Sequence, residues 1–191
     1  MNNKNTQEDI EKNIKPELIQ LENQNANKPQ TIIRIFVDTA SVSAYARNGI
    51  INKGVYIIDN RANIGSTSQG TMTANTFVRL RDYIGFYIMP IDPTLNDTVS
   101  IEGFQIITGN VFGTDGYPEF ISNTKEYPGG SFWIGRAESA PTPNIATTYK
   151  IKCKLKTGGL KARTIYFEWD QNTSVSGSFR PSIGIPLIRG K

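Results

Sequence analysis

The stretch Tyr149-Lys-Ile-Lys-Cys-Lys-Leu-Lys156, followed by Thr157-Gly158-Gly159 and then Thr164-Ile-Tyr-Phe-Glu-Trp-Asp170, decides the fold class. In its first run Tyr149, Ile151, Cys153 and Leu155 alternate with Lys150, Lys152, Lys154 and Lys156. A period of two gives a strand one apolar and one wet face. The second run places Ile165, Phe167 and Trp169 on one face and Thr164, Tyr166 and Glu168 on the other. The glycines between them supply the positive φ angles of a turn. The stretch therefore predicts an antiparallel hairpin with an apolar inner face. Its loop exceeds the two-residue minimum, which leaves the register open.

Outward from this hairpin the chain reads as more short strands. The run Ile32, Ile33, Ile35, Phe36 and Val37 predicts a strand that enters a polar loop at Asp38-Thr39. Residues 55–58 predict a second strand, stopped by Asp59-Asn60, and residues 63–75 a long polar loop. Strands follow at 76–80 and 84–89, around Arg81-Asp82-Tyr83. Another is expected at 98–107, with Val99, Ile101, Phe104, Ile106 and Ile107 inward. Residues 110–130 read as a loop-rich excursion holding Asp115-Gly116-Tyr117-Pro118, 132–134 as a brief strand, and 139–147 as a loop. Residues 179–188, broken by two prolines, fit an edge strand or a segment lying across the surface.

Residues 1–30 are polar and lack aromatics. Ile10, Ile14, Leu18 and Leu21 fall at helical spacing around Pro16, so this extension is either a short amphipathic helix or a disordered tail. Such a helix could dock on a partner or a second subunit. No other helix is expected. The reading is thus all-β: a polar extension over 1–30, then an antiparallel β-sandwich over 31–191, of jelly-roll or CUB-like form.

Composition removes several functions. The 191 residues suit one domain that needs no disulfide, and Cys153 is the only cysteine. It sits on the apolar side of the lysine strand and reads as a small buried hydrophobe. There is no histidine. Ser-His and Cys-His catalysis and imidazole-bound zinc are excluded, while carboxylate-pair hydrolysis survives. A net charge of +4 and a pI near 9.1 fall short of a nucleic-acid binder's cationic stripe. The longest apolar run, 83–91, is under half the roughly 20 residues of a membrane span, and no secretory signal is visible. A cytoplasmic protein is expected. Ser66-Thr67-Ser68-Gln69-Gly70 is a hydroxyl-rich loop without the lysine of a phosphate cradle.

Two kinds of site remain. Asp38, Asp59 and Asn60 lie at strand ends, where loop oxygens build calcium sites, so Ca²⁺ is the cofactor expectation. The same residue types also bond to their own backbone in turns. Asp115, Tyr117, Trp133 and Asp170 pair ring faces with carboxylates, which suits a sugar. Trp169 points inward by parity and reads as a core anchor. The lysine row reads as a solvated outer face that keeps strands from sticking, offset by Glu168 and Tyr166 opposite.

Several residues together resemble a family. Ile33 to Asp38-Thr39, the Ser66–Gly70 loop, the strand–Arg81-Asp82–strand unit, and Tyr149 followed by Tyr166-Phe-Glu-Trp-Asp170 are similar to the bacterial inclusion body proteins of PixA/AidA type. There the centre reads Gly-Asp and the end Trp-Asp-Pro; here Arg81 and Gln171 stand at the glycine and proline positions. The resemblance implies a compact β-sandwich, accumulation in cytoplasmic inclusions, release without a signal peptide, and self-association as a homodimer or higher oligomer. Glycan binding is suspected of the family. The functional expectation is a non-enzymatic self-associating sandwich that binds carbohydrate through end loops with Ca²⁺. The alternatives are a purely structural or storage protein and, behind it, a carboxylate-pair glycosidase.

Overall fold

A computed structural model describes residues 29–46, 48–92, 96–122, 130–138 and 147–176. Nine strands run in chain order: β1 Thr31–Val37, β2 Val55–Asp59, β3 Asn75–Arg79, β4 Tyr83–Pro90, β5 Thr98–Thr108, β6 Glu119–Ser122, β7 Phe132–Arg136, β8 Thr147–Lys156 and β9 Thr164–Ser176. They form a five-stranded sheet, β2-β1-β4-β7-β6, and a four-stranded sheet, β3-β9-β8-β5. One hydrophobic core lies between them, fed by Ile33, Ile35 and Phe86 from the first sheet and by Ile151, Leu155 and Phe167 from the second. Rings lock the two layers together. Phe86 of β4 meets Tyr149 of β8 edge-on at 6.1 Å, and Phe104 of β5 meets Trp133 of β7 at 5.6 Å. The all-β sandwich expected from the sequence is what forms. Residues 1–28 of the extension expected over 1–30, residues 139–146 of the loop expected over 139–147, and the whole terminal segment 179–188 lie outside the described residues.

The lysine hairpin takes the expected form. β8 and β9 pair antiparallel from Thr147↔Thr173 to Lys156↔Thr164, with Cys153 facing Phe167 and Ile151 facing Trp169. Its loop closes where the Thr157 N–H donates to the Arg163 carbonyl at 3.0 Å. Gln171 continues the strand past Asp170. A proline there would have no N–H for the ladder. With glutamine present, β9 runs on to pair with β3, and the buried Gln171 amide donates to the Ala74 carbonyl at 2.7 Å.

Four features depart from the reading of the sequence. First, the sheets are mixed: β1 pairs parallel with β4, and β3 parallel with β9. Second, Asp38-Thr39 opens not a loop but a short helix, α1 Thr39–Tyr45. Its sequence, Thr-Ala-Ser-Val-Ser-Ala-Tyr, has weak propensity; the Asp38 cap and the burial of Val42 hold it. Third, Ile107 is exposed, because the register against β8 shifts at Gly103 and again before Thr108. A bulge reverses the facing of residues beyond it. Fourth, β6 forms within the stretch read as loop.

β3 and β4 follow one another in sequence yet lie in different sheets, so Leu80-Arg81-Asp82 is a crossing. The Asp82 carboxylate accepts from the Thr31 hydroxyl at 3.1 Å, the Arg61 guanidinium at 2.8 Å and the Arg79 N–H at 3.1 Å. The Arg81 N–H donates to the Ala137 carbonyl, just beyond β7, and the Ala137 N–H returns to the Asp82 carbonyl. Arg81 pays for this corner with a φ of 72°, in the left-handed region that suits glycine. This is where the resembling family carries Gly-Asp. We expect Arg81→Gly to raise unfolding stability by about 0.5–1 kcal/mol in urea titration, by relieving the left-handed strain. A loss of stability would show that the arginine side chain contributes more than its backbone costs.

Candidate functional site

The three calcium candidates occupy two ends of one strand pair. Asp59 pairs with Ile33 and Val55 with Val37, so Asp38 lies about five strand residues, or roughly 17 Å, from Asp59. Asp38 caps α1: the Ser41 N–H donates to it at 2.9 Å and the Ser41 hydroxyl at 2.7 Å. These bonds hold its pKa below the ordinary 3.8. The buried Asp59 carboxylate accepts from the Arg61 N–H at 2.8 Å and from the Gln69 amide at 3.0 Å. Asn60 accepts from the Ile32 N–H and donates to the Gln30 carbonyl. Each therefore fastens the chain locally. Among the described residues no three His, Cys, Asp or Glu side chains gather as a metal site would need.

The sugar candidates are likewise spread out. Asp115 and Tyr117 are exposed on the loop before β6. Trp133 points into the sandwich, against Phe104 and Phe120, and its indole N–H donates to the Gly130 carbonyl at 2.9 Å. Asp170 lies on the outer face of the other sheet, 3.6 Å from Lys150. Only Asp115 and Tyr117 remain neighbours. Trp169 is buried in the core beside Phe167, as its parity requires.

Among the described residues, two of the four lysines on this face are paired. Lys150 pairs with Glu168 at 2.9 Å, and Lys154 pairs with Glu102. The Glu168 hydrogen bond raises the Lys150 pKa; at Glu102 burial pushes upward, but the Lys154 and Ser100 bonds prevail and lower it. A depression here, lined by Thr98, Val99, Ser100, Lys154 and Lys156, holds about 90 Å³. Ligand pockets usually enclose roughly 300–1,000 Å³. The Cys153 thiol beneath is buried, which pushes its pKa well up and leaves it inert.

The outer face of the five-stranded sheet is chemically its opposite. β1 sends Ile33, Ile35 and Val37 inward and therefore Ile32, Arg34 and Phe36 outward. The pairings set Tyr56 beside Phe36, with Met89 on the far side of Phe36, and Ile58 beside Arg34, with Tyr87 on the far side of Arg34. Further along the same face, Tyr87 stacks on Phe132 with ring centroids 4.5 Å apart. Tyr56 and Ile58 are 42% and 45% exposed. Tyr56 and Ile58, beside Phe36 and Arg34, leave apolar surface open on the β2–β1 side, while Tyr87, Phe132 and Ile134 of the same face are already buried; exposed apolar patches mark interaction surfaces. This face was not singled out from the sequence, although its signal was present. Residues 32–37 and 83–91 are apolar on both parities except at Arg34, which is how strands covered on both sides read.

The chain also enters the sheet across this face. Pro29 is buried against Gly85, where an added Cβ would meet its Cγ at 2.6 Å. The Tyr83 N–H donates to the Gln30 side-chain carbonyl at 2.7 Å. Among the described residues no helix is long and apolar enough to cross a membrane.

Known proteins resemble this chain in sequence family and in fold. A sequence family described as a domain of unknown function (DUF8788) matches residues 29–161. The crystal structure of an inclusion body protein, PixA, from Burkholderia cenocepacia J2315 superposes with a TM-score of 0.59 at 14% identity. The match covers 76% of this chain and 94% of that one. At that identity the likeness is one of fold. No curated protein matches.

The role of Asp38 is open to direct measurement. Asp38→Ala should cost about 1 kcal/mol, the usual value of an N-cap, with or without added calcium. The cap's contribution should be complete above the ordinary carboxyl value of 3.8 and fade as pH falls through the lowered folded value. Asp38→Asn, which keeps an accepting oxygen, should retain most of the stability in thermal melts. A calcium-dependent loss in either variant would contradict the cap assignment.

Proposed function

The chain belongs to the DUF8788 family, and we propose that it is a non-enzymatic structural protein that associates with its own copies through the apolar outer face of the five-stranded sheet. The observation that carries this is the contrast between the two outer faces. One presents lysines matched by Glu168, Asp170 and Glu102; the other presents Tyr56, Ile58 and Phe36. A charged, salt-bridged face resists sheet stacking, and an apolar one invites it. The likeness of fold to a protein titled as an inclusion body protein agrees with an assembly role. The absence of histidine from the chain, and the structural bonds already made by Asp38, Asp59 and Asp82, favour this reading over a hydrolytic one. No contact among the described residues favours a sugar or calcium reading over it.

Size sets the strength of the contact. Tyr87, Phe132 and Ile134 of this face are already buried, so the open part is its β2–β1 side, two strands about 4.8 Å apart and some six residues tall, or roughly 200 Å². That is about a quarter of the roughly 800 Å² per partner in a standard interface. The association is therefore weak for a single pair and grows with concentration. Sedimentation velocity over a wide concentration range tests it. We expect the weight-average mass to rise with concentration, Ile58→Lys to weaken that rise at least tenfold, and Lys152→Glu on the opposite face to leave it unchanged. An Ile58→Lys protein that associates as before, or a loss caused by Lys152→Glu, would overturn the reading.

A further inference from the structure

We infer that the loop from Ser66 to Thr71 guards an open sheet edge, and that the guarded edge, strand β2, is a second self-association surface that takes β2 of another copy. The claim is independent of the face contact above. It concerns main-chain pairing in the plane of the sheet, not the stacking of side chains.

Strand β2 is the outermost strand of the five-stranded sheet, beside β1, so one row of its backbone groups points away from any partner strand. The Ile57 carbonyl lies in that row and accepts from the Gly70 N–H at 2.7 Å. The Asp59 N–H lies there too and donates to the Gln69 side-chain oxygen at 2.7 Å. Such a row is a template for any strand that can align with it, and proteins blunt it with lysine, proline, a bulge or a cover. β2 reads Val-Tyr-Ile-Ile-Asp, with neither lysine nor proline, and pairs with β1 from Val55 to Asp59 without a register shift. Its one charge, Asp59, stands at its end, engaged by the Arg61 N–H and the Gln69 amide. The loop is what blunts this edge.

The same loop closes the other sheet on this side of the sandwich. Thr67 and Asn75 exchange both backbone bonds at 3.0 Å, and the Ser66 hydroxyl accepts from the Phe77 N–H at 2.8 Å. Asn75 and Phe77 belong to β3, the outermost strand of the four-stranded sheet. On β2 the hold is narrower: an isolated bridge of Thr71 with Ile57, the Gly70 bond, and the two-way clasp of Gln69 and Asp59.

With the loop displaced, β2 fits a copy of itself. Antiparallel pairing about a two-fold axis at Ile57 sets the two Ile57 residues opposite each other, with their edge-facing N–H and carbonyl groups exchanging bonds. It also sets Tyr56 opposite Ile58 of the other copy, twice. Both are among the most exposed apolar side chains of the sheet, so each cross-strand pair covers surface now open to water.

Amide hydrogen exchange by NMR in the full chain tests this residue by residue, with the β8–β9 amides reporting that the fold is intact. Gln69→Ala with Gly70→Pro removes the clasp and the Gly70 donor, and proline cannot take the φ of 77° found there. In the unaltered chain the Asp59 amide should be protected at every concentration. In the variant it should exchange at least tenfold faster in dilute solution and regain protection as the protein is concentrated. Its sedimenting mass should rise at concentrations at least tenfold lower. Face stacking leaves edge amides open to water and gives no such recovery. Gln69→Ala alone, which keeps the turn, should change in the same direction and decides the matter if the double variant loses its β8–β9 protection. An Asp59 amide that stays fast at all concentrations would overturn the β2 surface; one as slow in dilute Gln69→Ala as in the unaltered chain would overturn the guard. Recovery in the variant, with no association of the unaltered chain, leaves the edge claim standing and sinks the face reading. Association through Ile58 with no recovery does the reverse.

Discussion

One carboxylate holds the corner at which the chain passes from the four-stranded sheet to the five-stranded one. Asp82 sits on a link of three residues and accepts from Thr31 at the start of β1, Arg61 beyond β2 and Arg79 at the end of β3. Arg61 and Asp82 are 14% and 13% exposed, so their attraction is offset in part by the water they have lost. The gain is one of position more than of net stability. With the corner fixed, β1 lies parallel beside β4, and each outer face acquires its composition.

This order of dependence explains what could be read from the sequence. The lysine hairpin was legible because alternation over Tyr149–Lys156 and over Ile165, Phe167 and Trp169 fixes both inner faces at once. The parallel pairs were not. Which distant strands become neighbours depends on contacts such as Asp82 with Arg61, and those leave no periodic trace. Helix α1 was hidden for a related reason, since one side-chain cap at Asp38 and one buried valine outweigh seven residues of weak propensity. Gln171 shows the opposite case. A single departure from the family pattern lets β9 continue and pair with β3.

The candidate site followed a similar course. Asp59 and Asn60 do stand at a strand end, but Asp59 spends its carboxylate on the turn at the Arg61 N–H, and the Asn60 oxygen accepts from the Ile32 N–H of the neighbouring strand β1. Trp133 reads from the sequence as a loop-adjacent ring, yet its place on β7 turns it toward Phe104. An unbroken apolar run reads as a strand covered on both sides, but it does not say which residues share the outward side. It takes the sheet partners to show that Ile32 and Phe36 share an outward side with Ile58 and Tyr56.

The two sheets differ in their outer faces, and on the proposed reading one side meets water and the other meets a second copy. On one, ion pairs such as Lys150 with Glu168 keep the strands apart from other sheets; on the other, Tyr56, Phe36 and Met89 leave apolar surface to be covered. Hydroxyl-radical footprinting across a concentration series measures this division most directly, because it reads single side chains. The account predicts that oxidation of Tyr56 and Met89 falls as the protein is concentrated, while oxidation of Tyr166 on the lysine face stays constant. Protection of Tyr166 with Tyr56 and Met89 unchanged would contradict it.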